Sequence, residues 1–205
     1  MDGGFISYRF LNSLFSVCDI PILAVPGNHD VPSVASQSSN FYFLTSTANR
    51  DFGSWRFHFL NTKKVGHELG EIDPKDLADL SQNIFSAGRK PQIIFMHHPP
   101  LDIGCAWLDD MKLENSGDFW HIVSQSSNIK AVFCGHVHQD NELSQNSVPV
   151  ITTPSTCVQF KRHSRVYQIE RLQPGFRIIE TQDDGTFSHH LVRLKPSDDF
   201  SIPIL

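Results

Sequence analysis

The chain has 205 residues, 40% of them hydrophobic and 19% charged, which excludes a disordered chain and predicts one domain with a buried core over residues 1–205. Seventeen Lys and Arg against 22 Asp and Glu leave a net charge of −5, so no basic field gathers nucleic acid or anionic lipid, and no nucleic-acid partner is expected. No apolar run approaches the roughly 18 residues of a membrane span, and Met1 to Phe10 lacks the order of a signal peptide, so a cytoplasmic protein is expected.

Tyr8, Leu11, Leu14 and Phe15 recur at helical spacing. Ile20 to Val25 is a short apolar run stopped by Pro26 and Gly27, which reads as a buried strand entering a loop. Val31 to Asn40, rich in Ser, reads as a surface excursion before an aromatic strand from Trp55 to Asn61. Asp73 as N-cap, Pro74 at the first helical position, Leu77, Leu80 and Ile84 on one face and Gly88 as stop predict a helix. Gln92 to Met96 and Ile129 to Cys134 read as buried strands, with a short helix from Phe119 to Val123 between them. This alternation predicts an α/β fold with a parallel sheet. Beyond Gly135 the pattern is mostly β, with strand-like runs at Val148 to Thr152, Val158 to Phe160, Phe176 to Thr181 and Phe187 to Leu194. Asp183, Asp184 and Gly185 mark a hairpin between the last two. No internal repeat divides the chain.

The four cysteines, Cys18, Cys105, Cys134 and Cys157, are too far apart for a zinc ribbon or a dense disulfide framework, which suits a reducing compartment. Eleven histidines are the unusual feature, and six polar residues stand directly behind three predicted strands. The runs are LAVPGNHD (Leu23 to Asp30), IIFMHHPP (Ile93 to Pro100) and VFCGHVH (Val132 to His138). In open α/β sheets the carboxyl ends of strands converge on one crevice. Asn28, His29, His97, His98, His136 and His138 can therefore meet. Gly27 and Gly135 permit tight turns there, and Pro99 and Pro100 fix the exit from the strand. Imidazoles with an amide oxygen suit a borderline divalent ion such as Mn, Fe(II), Zn or Co, and do not suit a calcium cage. His58 in an aromatic strand, and His189 with His190 in a hairpin strand, read as ordinary sheet residues.

The order GNHD, HHPP, GHVH resembles the calcineurin-like metallophosphoesterase superfamily. FMHHPPLDIGCAWL, CGHVHQ and TPSTCVQFK further resemble the bacterial 3′,5′-cyclic AMP phosphodiesterases, the class III cyclic nucleotide phosphodiesterases. This resemblance implies a four-layer αββα sandwich with two mixed sheets and two divalent metal ions, Fe or Mn. It assigns Asn28, His97 and His136 to one ion and His138 to the other. His29 would be catalytic, stabilising charge on the phosphate and protonating the departing sugar oxygen, a role imidazole suits. Asn28, His29 and, less directly, His98 would bind substrate. His98, Asp30 and the segment from Ser155 to Phe160 read as support or pocket wall. The implied reaction is hydrolysis of 3′,5′-cyclic AMP to 5′-AMP by in-line attack of metal-activated water. The substrate partner is thus a small cyclic nucleotide, and a homodimer is allowed.

The resemblance also expects an Asp-x-His after a first strand and a Gly-Asp-x-x-x-Asp after a second, the first Asp of the latter bridging both ions. Neither motif is in this sequence, and Asp2 resembles the last Asp of the second. The expectation is a domain lacking its N-terminal strand and helix, with the second metal site incomplete, turnover reduced or absent, and aggregation favoured. Two alternatives stay open: a truncated, inactive paralogue that binds nucleotide or metal, and a phosphoesterase of another class, such as a phosphomonoesterase or nuclease.

Overall fold

A computed structural model describes residues 3–31, 33–35, 42–43 and 48–195. Asp2 and most of the segment from 31 to 40 lie outside them. Among the described residues the centre of the fold is a six-stranded mixed sheet built from β3 (Ala48–Phe52), β4 (Trp55–Phe59), β5 (Gln92–Met96), β6 (Ile129–Cys134), β7 (Glu142–Gln145) and β8 (Val148–Thr152), in the order β3-β4-β5-β6-β8-β7. The four inner strands are parallel, and the edge strands β3 and β7 run antiparallel to their neighbours. Both faces of this sheet are covered, which is why β5, β6 and β8 read as near-continuous apolar runs and not as alternating ones.

Two chain reversals cross one face as helices. The first carries α2 (Pro74–Ser86), where Asp73 caps the helix by accepting the Lys75 N–H at 2.8 Å and Gly88, at φ +60°, lies just past its end. The second carries α3 (Ala106–Asp109) and α4 (Ser116–Val123). Leu77, Leu80 and Ile84 of α2 and Phe119, Trp120 and Val123 of α4 pack on Ile94, Met96, Val132, Cys134 and Val150 of the sheet. Each such side chain contributes about 1.5–3 kcal/mol on burial. The intervening residues Ile93, Phe95, Ala131, Phe133 and Ile151 point to the other face, where they meet Ile179 and Phe187, as the period-two alternation of strands requires.

Ile179 and Phe187 belong to an antiparallel hairpin of β11 (Gly175–Thr181) and β12 (Phe187–Arg193), closed at the expected turn with Gly185 at φ +84°. The second layer is thus this hairpin, and the described residues do not join it into a second mixed sheet. The strand expected from Ile20 to Val25 is shorter, β1 (Leu23–Ala24), paired in parallel with β2 (Tyr42–Phe43). Ahead of it, α1 (Phe5–Phe15) buries Tyr8 but leaves Ile6, Phe10 and Leu14 exposed. A last small pair, β9 (Gln159–Phe160) with β10 (Ile169–Glu170), flanks the carboxyl edge of the sheet. No helix among the described residues is long and apolar enough to cross a membrane.

Candidate metal centre

The parallel register of β5 and β6 pairs Met96 with Cys134, so the residues that follow each strand emerge side by side. Gly135 N–H donates to the His97 carbonyl at 3.1 Å and Val137 N–H to that of Gly135 at 2.7 Å, folding the GHVH segment back on itself. His136 and His138 sit in the left-handed region at φ 65° and 51°, a conformation costly for residues with a Cβ and one that clusters at functional sites. The ring centroids of His97, His98 and His136 lie 4.6 to 5.0 Å apart, and one nitrogen from each falls within 4.8 Å of the others.

The GNHD loop reaches the same place from β1. Asp30 closes it by accepting the Gly27 N–H at 2.8 Å and the Tyr8 hydroxyl at 2.7 Å, while that hydroxyl accepts the Val31 N–H at 2.9 Å. Gly27 is required by contact: a Cβ there would stand 2.7 Å from the His97 ring. Asn28 Oδ1 then lies 3.0 Å from His97 Nε2, close enough for both to reach one ion through bonds of about 2.1 Å. The Asn28 amide nitrogen donates to the Glu68 carboxylate. That contact fixes which end of the amide faces His97.

The three clustered histidines are chemically unequal. His98 is fully buried, its Nδ1 is 2.8 Å from the Thr62 hydroxyl and its Nε2 donates to the Glu68 carbonyl at 3.1 Å. Both nitrogens are engaged with protein groups, so proximity to His97 and His136 does not leave it a free lone pair. Gly70 packs against it so tightly that a Cβ would fall 2.5 Å from the ring. His136 is the opposite case: it is buried, and its Nε2 has no hydrogen-bond partner. An orphaned nitrogen of this kind costs about 1–3 kcal/mol unless something occupies it. His138 donates its Nδ1–H to the Val158 carbonyl at 2.9 Å, which leaves Nε2 as the bare acceptor.

Burial pushes His136 down to about 3 and His98 and His138 each to about 4, and holds His97 well below the ordinary histidine value; neighbouring histidines push His97 and His136 further down. All four are neutral at pH 7. Neutral imidazoles with free lone pairs, an amide oxygen and one orphaned buried nitrogen form a donor set that fits a borderline divalent cation.

Asn28, His29, His97, His136 and His138 line one open cleft of about 830 Å³. Of the six residues expected to meet, Asn28, His29, His97, His98, His136 and His138, five line this cleft, and His98 lies behind it against His97 and His136. Sequence reasoning passed over Glu68, Thr62 and Gly70, which hold the histidines and Asn28 from a loop with no recognisable motif. His29 is exposed on the rim. His58 is a buried residue of β4 bonded to Gln92 at 2.7 Å, and His189 packs on Phe133 and Phe187. Both are sheet residues away from the cleft.

Residues 1–140 match the family described as calcineurin-like phosphoesterase. A 3′,5′-cyclic adenosine monophosphate phosphodiesterase of Escherichia coli K12 is 33% identical over 85% of this chain. A 3′,5′-cyclic-nucleotide phosphodiesterase of Nostoc sp. is 29% identical over 99% of this chain and 75% of its own length. The chain spans 64% of the length of the Escherichia coli relative. Among solved structures, a dimetal phosphatase from Danio rerio superposes with a TM-score of 0.56 at 15% identity, over 75% of this chain and 69% of the other. GAP50, the anchor in the inner membrane complex of Plasmodium, gives 0.53 at 11% identity, over 99% of this chain and 82% of that one. At these identities the two structures speak for the fold alone.

Proposed function

The chain belongs to the calcineurin-like phosphoesterase family, and on that footing we propose that its reaction is hydrolysis of 3′,5′-cyclic AMP to 5′-AMP at a centre for two divalent ions, Fe or Mn. Asn28, His97 and His136 would hold one ion and His138 the other. The observation that carries this reading is the orphaned, buried Nε2 of His136 beside the Asn28 and His97 pair. Its support on the substrate side is the kinship to cyclic nucleotide phosphodiesterases of Escherichia coli and Nostoc.

Bound ions would supply an activated water and neutralise the charge of the phosphodiester. The chain's own work is positioning. Val158 aims the bare nitrogen of His138, Glu68 aims the oxygen of Asn28, and His98 with Thr62 backs the His97 segment. His29, exposed on the rim, would approach the phosphate and donate a proton to the leaving oxygen. The apolar face of the central sheet that carries the β11–β12 hairpin is the place where a second sheet would complete a four-layer sandwich. Four unpaired cysteines support a reducing compartment.

The test is a panel of cyclic AMP, cyclic GMP and an aryl phosphate under Mn, read by chromatography of products. It is run on the 205-residue chain and on a version extended upstream in frame. Cyclic AMP turning over to 5′-AMP, abolished by a chelator and faster in the extended form, is the expected result. Preference for the aryl phosphate, or turnover that survives chelation, would overturn the proposal.

A further inference from the structure

The cleft continues past the histidines into an aromatic wall that the proposed hydrolysis leaves without a task. His138 lies flat on Phe160, with ring centroids 4.3 Å apart and planes 2° from parallel. Phe160 meets Trp107 at 5.1 Å and Tyr167 at 5.4 Å, and Trp107 meets Tyr167 at 5.5 Å, all edge to face. All four rings line the same cleft. The wall therefore begins one ring away from a candidate metal ligand.

Two features separate this wall from ordinary core. Tyr167 is 53% exposed, so the cluster is open to the cleft and not sealed by the fold. Trp107 also differs from the other two tryptophans. Trp55 and Trp120 are buried and donate their indole N–H groups to the Gln182 and Pro100 carbonyls at 2.8 and 2.9 Å. The Trp107 Nε1–H is buried with no partner, although a buried indole N–H ordinarily finds one.

The wall is also held stiffly. Trp107 sits in α3, two residues after Cys105, whose thiol contacts the Ser164 carbonyl at 3.3 Å and the Lys161 carbonyl at 3.7 Å. Phe160 is fixed in β9 by its pairing with Ile169. α3 and the 160–167 segment are thereby tied together, and a rigid aromatic surface costs little to order on binding.

We propose that Trp107, Phe160 and Tyr167 form a subsite for the nucleobase of the substrate, with the rings giving a stacking surface. The inference rests on the proposed phosphoesterase reading and deepens it, since it makes the substrate a nucleotide by contacts to its base and not only to its phosphate. Stacking on aromatic side chains contributes about 1–3 kcal/mol per base. Loss of one ring from the wall should accordingly weaken nucleotide binding by about 5- to 150-fold.

The experiment titrates the protein with 5′-AMP and with ribose 5-phosphate in the presence of Mn, and with adenosine in EDTA, following tryptophan emission and heat. 5′-AMP should bind more tightly than ribose 5-phosphate, adenosine should perturb the emission without metal, and the emission change should vanish in Trp107→Phe. Tyr167→Ala, at an exposed position, should weaken 5′-AMP and adenosine while leaving Mn and ribose 5-phosphate affinities unchanged. Equal affinity for 5′-AMP and ribose 5-phosphate, or unaltered nucleotide binding in Tyr167→Ala, would overturn the subsite. If Mn fails to bind while adenosine still perturbs Trp107, the metal reading fails and the subsite stands.

Discussion

Asn28 Oδ1 and His97 Nε2 stand 3.0 Å apart although 69 residues separate them in the chain. The meeting is made by Gly27, whose missing side chain lets the loop after β1 lie against the His97 ring. Gly27→Ala should therefore displace His97 and reduce Mn affinity about tenfold or more, the range seen when residues supporting a ligand are lost. Calorimetric titration with Mn checks it, and unchanged affinity would show that the two loops can separate without cost to the site.

Ligands and phosphate-facing residues should part company in mutagenesis. His136→Ala and His97→Ala should lower bound metal measured by elemental analysis. His29→Ala should retain metal while losing about 10²- to 10⁴-fold in turnover, the usual weight of a positioned proton donor. Metal lost from the His29 variant would remove it from the role assigned.

His98 is expected to act through its neighbours. Thr62→Val keeps the volume and removes the hydroxyl that faces His98 Nδ1, leaving a buried polar atom unmatched. A loss of about 1–3 kcal/mol in folding stability is expected, read by urea unfolding, together with weaker Mn binding. Gly70→Ala should be at least as damaging, because its Cβ would stand 2.5 Å from the His98 ring. A neutral result for both would mean that the His98 pocket does not support the site.

Stability of the metal-free chain should depend on pH in a defined direction. Burial holds His58 below the ordinary histidine value and keeps His98 and His136 at about 4 and about 3, whereas in the unfolded chain histidine titrates near ~6.5. Below that value the unfolded chain takes up protons that the fold excludes. Stability is thus complete above pH ~6.5 and is lost as the pH falls towards about 4, by up to about 1.4 kcal/mol per pH unit for each group. Urea unfolding in EDTA between about pH 7.5 and about pH 5 should show the fall, and a constant midpoint would contradict it.

The fold and the cleft were unequally legible in the sequence. GNHD, HHPP and GHVH could be placed together because each follows a short apolar run, and parallel strands deliver their carboxyl ends to one side. α2 was legible from its Asp73 cap and the Leu77, Leu80, Ile84 face. β3 and β7 were not, because edge strands of four or five residues with a mostly polar burial pattern carry neither a continuous apolar run nor a clear alternation. The turn at Asn146 and Ser147, both at positive φ, lacks the glycine that would have announced it. Glu68 and Thr62 were invisible for another reason: their function lies in contacts to Asn28 and His98, far along the chain, and single polar residues in a loop have no periodicity to read. Trp107, Phe160 and Tyr167 likewise become a cluster only through the fold, since they are 53 and 7 residues apart in sequence.

The central claim is that the cleft at the ends of β1, β5 and β6 is a metal centre. The most direct measurement is anomalous diffraction at the manganese edge from crystals soaked in MnCl2. The account predicts a peak about 2.0–2.2 Å from His97 Nε2, Asn28 Oδ1 and His136 Nε2, with His98 still bonded to Thr62 and Glu68. An empty cleft in crystals whose protein binds Mn in solution, or a peak ligated by His98 in place of His136, would contradict it.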